Sequence, residues 1–233
     1  MRLDKFISHT TGLSRSASRR AIKSAAIAIN AQTVTDPQRE VSDADAVALD
    51  GETLTLPGRR YLMLHKPAGY VCATSDSENP TVIDLLSNLS AAEIRGLSIA
   101  GRLDKDTTGL LLLSDDGQWI HRLTAPRHNH PKSYIATLER AVSEQDVEAF
   151  AQGLQLRSEK QPTRPAVLKP LPENRAEVTI TEGRYHQIKR MFAATGNVVL
   201  SLHRVQVGDI VLDSALTPGQ YRPLTQTEIE SVQ

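Results

Sequence analysis

A chain of 233 residues, 39% hydrophobic and 4% aromatic, is long enough to bury a sizeable core in one or two domains, and no apolar run approaches the length of a bilayer span. The start, Met1-Arg2-Leu3-Asp4-Lys5-Phe6, lacks the apolar stretch of a secretory signal, and the single cysteine, Cys72, excludes an intrachain disulfide and leaves too few thiols for a structural zinc; a reducing, cytoplasmic setting follows. Twenty-seven basic residues balance twenty-seven acidic ones, so net charge alone does not advertise a nucleic-acid partner.

The distribution of charge is uneven. Residues 1–23 carry Arg2, Lys5, Arg15, Arg19, Arg20 and Lys23 against Asp4, whereas residues 36–52 carry Asp36, Glu40, Asp43, Asp45, Asp50 and Glu52 against Arg39. Such an asymmetry fits a basic binding face and a solvated helix surface equally well. Leu3, Phe6 and Ile7 stand at helical spacing, and Ser14 is placed to cap a second helix running to about Lys23. Ala26–Asn30 alternates like a short strand, Val34 and Ala46–Leu49 continue the pattern, and Asp50-Gly51 marks a turn. This unit resembles the S4 RNA-binding domain, whose opening Arg-Leu-Asp-Lys and later Ser-Arg stand here as Arg2–Lys5 and Ser14-Arg15. The resemblance implies RNA contacts from Arg2, Lys5, Arg15, Arg19 and Arg20. Where that domain usually carries glycines, this chain has Ser24 and Ala31, so a positive φ at either position would carry strain.

Thr55-Leu56-Pro57-Gly58-Arg59-Arg60 breaks the pattern, and residues 57–60 read as a linker between a domain at 1–56 and a larger one at 61–233. Tyr61–Lys66 runs as a strand into a turn at Pro67–Gly69; His65 and Lys66 at its end suit either RNA contact or a structural role. A helical patch is expected near Val82–Leu89. The run Gly101-Arg102-Leu103-Asp104-Lys105-Asp106-Thr107-Thr108-Gly109-Leu110 then sets one carboxylate in a short loop between apolar segments. An aspartate so placed suits covalent catalysis, because it can attack an electrophilic carbon and later leave, but it equally suits a capped turn. Asp106 reads as a loop cap.

Leu110–Leu113 is an apolar run fit for a strand covered on both faces, ended by Ser114–Gly117. Tyr134–Leu138 and Ala176–Thr181 read as further strands. Ser143-Glu144-Gln145-Asp146 opens a helix to Leu154 that buries Val147, Phe150 and Leu154. Glu182–Phe192 leads into an amphipathic basic helix with Ile188, Met191 and Phe192 inward, closing near Gly196-Asn197. His121, His128 and His130 are irregularly spaced with no thiol or carboxylate to assist them, which argues against a metal site.

The run at 101–110 resembles the catalytic signature of the pseudouridine synthases, in the branch that modifies ribosomal RNA. Tyr61–Tyr70 resembles that branch's first motif, with His65 where asparagine usually precedes Lys-Pro; Lys132-Ser133-Tyr134 and Glu182–Phe192 resemble later ones, in the family's order. The resemblance spans about residues 1–225 and implies an α/β fold of the α+β type: a mixed, mostly antiparallel sheet with helices around a cleft, preceded by the small S4 domain. It implies that Asp104 is the catalytic carboxylate and that Tyr134 stacks on the extruded base and is placed to help with the C5 proton. It further implies that Lys189, where other branches have arginine, pairs with Asp104 and keeps it ionised and aimed. Lysine lacks arginine's two-pronged grip, so part of the orientation falls to neighbours such as Arg102. Lys66, Arg102, Lys132, Arg184, Arg190 and Arg204 are the remaining candidate RNA contacts, Lys132 suiting a phosphate contact and a solvated surface alike. No cofactor and no metal are implied.

Thr124–His128 and Glu182–Gln187 are worded most like the members of this family that act on a single uridine of 16S rRNA, position 516; large-subunit members often have Asn-Arg-Gln in place of Tyr185-His186-Gln187. The expected partner is therefore 16S rRNA in a partly assembled small subunit, met by a monomer away from any membrane. A 23S rRNA or tRNA target, and a non-catalytic RNA-binding assembly factor, are the alternatives.

Overall fold

The computed structural model describes residues 1–42, 44–55 and 58–232. Asp43 of the acidic stretch and Leu56-Pro57 of the expected linker lie outside the described residues. The chain divides into two compact units, Met1–Arg59 with Leu86–Leu97, and Arg60–Leu85 with Ser98–Gln233. Residues 86–97, which the sequence places in the larger domain, thus group with the N-terminal unit.

The first unit opens with α1 (Leu3–Thr11) and α2 (Arg15–Lys23). Gly12, at φ 73°, ends α1 in a left-handed cap, and the Ser14 side chain accepts from the Ala17 amide to start α2, as the sequence predicts. Strands β1 (Ile27–Ile29), β2 (Gln32–Thr33), β3 (Val47–Leu49) and β4 (Glu52–Leu54) form an antiparallel sheet in the order β2-β1-β3-β4. Leu3, Phe6, Ile7, Ile22, Ile27 and Val47 make its core. The strain foreseen at Ser24 and Ala31 falls instead on Ala25 (φ 62°) and Ala31 (φ 64°), because Ser24 keeps a φ of −81° as the cap of α2.

Asp4 is wholly buried in α1, and Arg15, Arg19 and Arg2 reach its carboxylate at 2.8, 2.9 and 3.3 Å. Burial alone would raise its pKa, but the bonds from Arg15 and Arg19 outweigh that and hold it below the usual range. Three of the expected RNA-binding arginines are therefore gathered around one carboxylate while keeping 40–52% of their side chains exposed. Lys5 is exposed, and so is Arg20, which donates to the Ser16 hydroxyl at 3.1 Å.

The second unit carries β5 (Tyr61–Lys66), β6 (Ser98–Ala100), β7 (Thr108–Ser114), α4 (Gly117–Thr124), a 3₁₀ turn at Pro126–His128 and β8 (Lys132–Leu138). There follow α5 (Glu144–Gln152), β9 (Val167–Leu171), β10 (Arg175–Ile180), α6 (Gln187–Ala194), β11 (Val199–Val207), β12 (Ile210–Val211), β13 (Tyr221–Pro223) and α7 (Gln226–Glu230), while α3 (Ala91–Ile94) belongs to the first unit. Among the described residues the sheet has nine strands in the order β13-β5-β7-β11-β8-β10-β9, with β6 against β7 and β12 against β11. Its neighbours run antiparallel except β7 and β11, which makes it the mixed, mostly antiparallel sheet expected.

Leu110, Leu111, Leu112 and Leu113 on β7 have no exposed surface, as a central strand covered on both faces requires. The helix expected near Val82–Leu89 does not form. Asp84 caps the Thr81 amide at 2.7 Å, and consecutive turns bury Val82 and Leu86 without a helical repeat. The capping box of Ser143 and Asp146 does start α5, which buries Phe150 fully and Val147 in part but ends at Gln152 with Gly153 as its cap, two residues short of the expected Leu154.

The register of the large sheet builds one transverse row. Lys66 on β5 pairs with Gly109 on β7, Gly109 with Arg204 on β11, and Arg204 with Tyr134 on β8. Gly109 sits at φ 104°, and a Cβ there would lie 2.2 Å from the Arg204 carbonyl oxygen. Only glycine permits that approach.

Candidate active site

The motif loop between β6 and β7 is fixed from beneath by Lys66. Its side chain is fully buried, and its ammonium donates to the carbonyls of Thr107 at 2.8 Å, Pro67 and Asp104 at 3.1 Å and Lys105 at 3.2 Å. Burial pulls the Lys66 pKa down, and with every donor turned onto main-chain carbonyls this lysine is not offered to RNA. The expectation of an RNA contact at Lys66 gives way to a clamp on the loop. Gly69 and Leu103 add further ties, their amides donating to the Lys105 carbonyl at 2.8 Å and the Cys72 Sγ at 3.3 Å. His65 is likewise structural, its Nδ1 lying 2.8 Å from the Leu216 carbonyl.

The loop so held presents Asp104, whose side chain is 28% exposed, to the start of α6. Lys189 Nζ and His186 Nε2 each stand 3.5 Å from one of its oxygens. Asp106, which the sequence reads as a loop cap, is instead the tighter partner of Lys189, at 2.6 and 2.8 Å. Burial alone would lower the Lys189 pKa, but the two carboxylates raise it above the ordinary value and keep it a cation. The Lys189–Asp104 pairing implied by the family motif is therefore present, with a second carboxylate sharing the lysine.

The turn before α6 is built from its own side chains. Gln187 is buried, accepts from the Arg184 amide at 2.8 Å and donates to Glu182 Oε1 at 2.8 Å. His186 takes a left-handed conformation, φ 48°, as the residue that starts the helix. Ile188, Met191 and Phe192 turn inward as expected.

A cavity of about 790 Å³ opens over this loop, lined by Arg102, Asp104, Lys132, Tyr134, His186, Lys189 and Arg204 among others. Tyr134 is nearly buried, with the Arg204 guanidinium 5.9 Å from its ring centroid. Lys132 is half-buried, donates to the His130 carbonyl at 3.0 Å and titrates low because it is desolvated. Arg102 is exposed; its carbonyl accepts from Arg204 Nη1 at 3.5 Å, and its guanidinium makes no hydrogen bond or ion pair among the described residues.

Three expected phosphate contacts are otherwise engaged. Arg204 is 2% exposed and donates from Nε to the Leu110 carbonyl at 2.8 Å. Arg184 donates to the carbonyls of Pro162 and Gln161 at 2.6 and 2.7 Å and to Glu182 at 3.2 Å. Arg190 bonds Glu159 at 2.9 Å and the carbonyls of Arg157 and Tyr185 at 2.7 and 3.1 Å. Arg184 and Arg190 hold the walls of the cleft by these bonds, whereas Arg204, tied at Nε, leaves its buried Nη2 without a hydrogen-bond partner beside the cavity. His128 and His130 stack on one another, ring centroids 6.1 Å apart.

The sequence did not single out three features of this site: the clamp by Lys66, the nearness of His186 to Asp104, and Asp106 as the partner of Lys189. The only signal was their position inside the motifs, which does not say which way a side chain points.

A partly exposed carboxylate 3.5 Å from an ammonium, at a cavity that Tyr134 also lines, is a constellation suited to nucleophilic or acid–base chemistry on a bound substrate. Comparison with known proteins gives that constellation its class. Residues 60–194 match the RNA pseudouridylate synthase family and residues 1–47 match the S4 domain. The chain belongs to the RNA pseudouridylate synthase family and is an isomerase of that kind, preceded by an S4 domain. Over all 233 residues it is 48% identical to ribosomal small subunit pseudouridine synthase A of Escherichia coli (strain K12), covering 100% of both chains. It is also 48% identical to the protein of that name from Haemophilus influenzae, covering 99% of that relative. A crystal structure of a pseudouridylate synthase matches across 100% of both chains, with 47% identity and a TM-score of 0.72.

Proposed function

We propose that this protein converts one uridine of 16S rRNA, position 516 by resemblance, to pseudouridine. In this reading it acts as a cytoplasmic monomer on a partly assembled small subunit, with Asp104 as nucleophile and the target base flipped into the cavity. The reaction breaks the bond from uracil N1 to ribose C1′, turns the base, and joins C5 to C1′; the C5 proton leaves and N1 gains one. No atom is added or lost, so no redox partner is required. The observation that carries the reading is the Asp104 carboxylate, 3.5 Å from Lys189 on a loop that Lys66 holds at three carbonyls, facing a cavity that also holds Tyr134.

Tyr134 supplies the face on which a splayed uracil rests. Asp104 can attack C1′ directly or act through a glycal, and on either route its carboxylate works with the Lys189 ammonium 3.5 Å away. The 48% identity to the named small-subunit enzymes supports the 16S target. The exposed cations of the N-terminal unit, Lys5, Arg20 and the arginines around Asp4, supply a sequence-independent hold on the RNA backbone.

Pseudouridine mapping of 16S and 23S rRNA, each as partly assembled particles incubated with wild type or Asp104→Asn, tests the proposal. One new pseudouridine in 16S rRNA with wild type alone is the expected result. Signal in 23S rRNA would retain the chemistry and replace the target, and product from Asp104→Asn would remove the nucleophile. Neutralising Arg15, Arg19 and Arg20 together is expected to flatten the salt dependence of RNA binding; an unchanged slope would remove the role given to that face.

A further inference from the structure

We propose that Tyr185 and His186 form a stacking subsite for the nucleobase next to the uridine that is isomerised, an inference that rests on the function proposed above. Tyr185 is 74% exposed, the highest value among the exposed large hydrophobic side chains of the described residues, yet it belongs to the lining of the cavity. Its ring lies on that of His186 with centroids 3.8 Å apart and planes 20° from parallel. At its ring edge, His186 Nε2 is 3.5 Å from Asp104. Two nearly parallel rings therefore stand beside the nucleophile, spaced close to the roughly 3.4 Å rise of stacked bases. The outer face of Tyr185 is open to water.

The pair is held in place rather than left to drift. Arg190 donates to the Tyr185 carbonyl at 3.1 Å, and the Arg190 amide to the His186 carbonyl at 3.0 Å. His186 keeps a left-handed backbone, φ 48°, a conformation that persists in a non-glycine residue only when its surroundings impose it. The side chain of Tyr185 makes no hydrogen bond among the described residues, so its stack on His186 is the contact that orients it.

The occupant follows from what surrounds the ring. Arg184, Lys189 and Arg190, the cations nearest in sequence, are engaged by carbonyls or by the carboxylates of Glu159, Glu182 and Asp106, so this spot offers a ring face and little free charge. The exposed ring face gives a phosphate nothing to bind, whereas a base would find a flat aromatic partner. Flipping one nucleotide strips its neighbour of a stacking partner, and an aromatic beside the nucleophile replaces it. The subsite is thus a positioning element: it fixes the strand next to the extruded uridine and sets C1′ over Asp104.

The test uses small-subunit particles reconstituted with 16S rRNA whose nucleotide on the 5′ or the 3′ side of the target is natural or abasic, assayed with wild type, Tyr185→Ala and Tyr185→Phe. Removing the base on one of the two sides is expected to raise KM for wild type about tenfold, the effect of losing one base–aromatic stack, with the loss falling on KM rather than kcat. Tyr185→Ala should show a similar rise on natural RNA and no further rise on the abasic RNA. Tyr185→Phe should regain the dependence on the neighbouring base that alanine loses, which also excludes misfolding as the cause. Additive losses, or no effect of either abasic site on wild type, overturn the subsite while leaving the proposed reaction standing. A wild type that forms no pseudouridine in natural particles overturns the reaction and the subsite together.

Discussion

Lys189 stands closer to Asp106 than to Asp104. Its ammonium is 2.6 and 2.8 Å from the two oxygens of Asp106 and 3.5 Å from the nearest oxygen of Asp104. One cation thus serves two carboxylates two residues apart, and the hydrogen bond from Lys189 holds Asp106 below the usual carboxylate range. The arrangement answers what a lysine lacks beside an arginine: Asp106 supplies the second point that steers the ammonium.

Asp106→Asn is accordingly expected to lower kcat about tenfold, a barrier change of about 1.4 kcal/mol, with RNA affinity little altered. Single-turnover rates alongside filter binding check this. A variant with full kcat would return Asp106 to a passive cap.

Lys66→Met removes the donor from four carbonyls in a place water does not reach. We expect a loss of about 3 kcal/mol in unfolding free energy, together with a lower single-turnover rate, since the Asp104 loop loses its clamp. Urea unfolding measures the first and rapid quench the second. If stability were intact and only RNA affinity fell, Lys66 would be an RNA contact after all.

Gly109 and Gly69 make a controlled pair, because both have positive φ but differ in what surrounds them. At Gly69 (φ 92°) a Cβ meets nothing within 4 Å, whereas at Gly109 it would strike the Arg204 carbonyl at 2.2 Å. Gly69→Ala should cost about 1 kcal/mol of backbone strain. Gly109→Ala should cost several times as much and disturb the β7–β11 pairing. Equal melting temperatures for the two variants would contradict the close approach.

Asp146 in α5 is buried, accepts two bonds from Arg140 at 2.8 and 3.1 Å, and completes the capping box with Ser143. Arg140 depresses its pKa well below the ordinary carboxylate range. A carboxyl depressed in the folded state stabilises above its unfolded pKa, about 3.9, and that stabilisation fades as the pH falls from there toward the folded pKa. Asp146→Asn should therefore be less stable than wild type at pH 7 by about 3 kcal/mol, the gap narrowing once the pH drops below about 4. Denaturant midpoints at the two pH values decide it; a gap independent of pH would mean that the charge is not what matters.

Legibility in the sequence tracked the range of the interactions. The start of α2 at Ser14 and of α5 at Ser143 could be read because a cap is settled within four residues. The strand β7 showed as an unbroken apolar run, and the positions of Asp104, Tyr134 and Lys189 showed because whole motifs resemble a known family. Direction was hidden. Lys66 lies in a motif yet points inward, and Arg184, Arg190 and Arg204 look like surface cations because their partners, such as Glu159 and the Gln161 and Pro162 carbonyls, sit in segments without periodicity. The turns at 82–89 imitated a helix, since apolar residues at Val82 and Leu86 can be buried by either.

The place of β11 in the sheet has a consequence for biosynthesis. By the end of α6 the chain already contains Asp104, Tyr134 and Lys189, but β7 and β8 are not neighbours; the strand that lies between them, Val199–Val207, is the next to be translated. Until that strand leaves the ribosome exit tunnel, the row from Lys66 to Tyr134 has a gap at Arg204 and the cleft has no continuous floor. The pocket is therefore complete only once β11 has paired with both β7 and β8, a long-range pairing made late in synthesis.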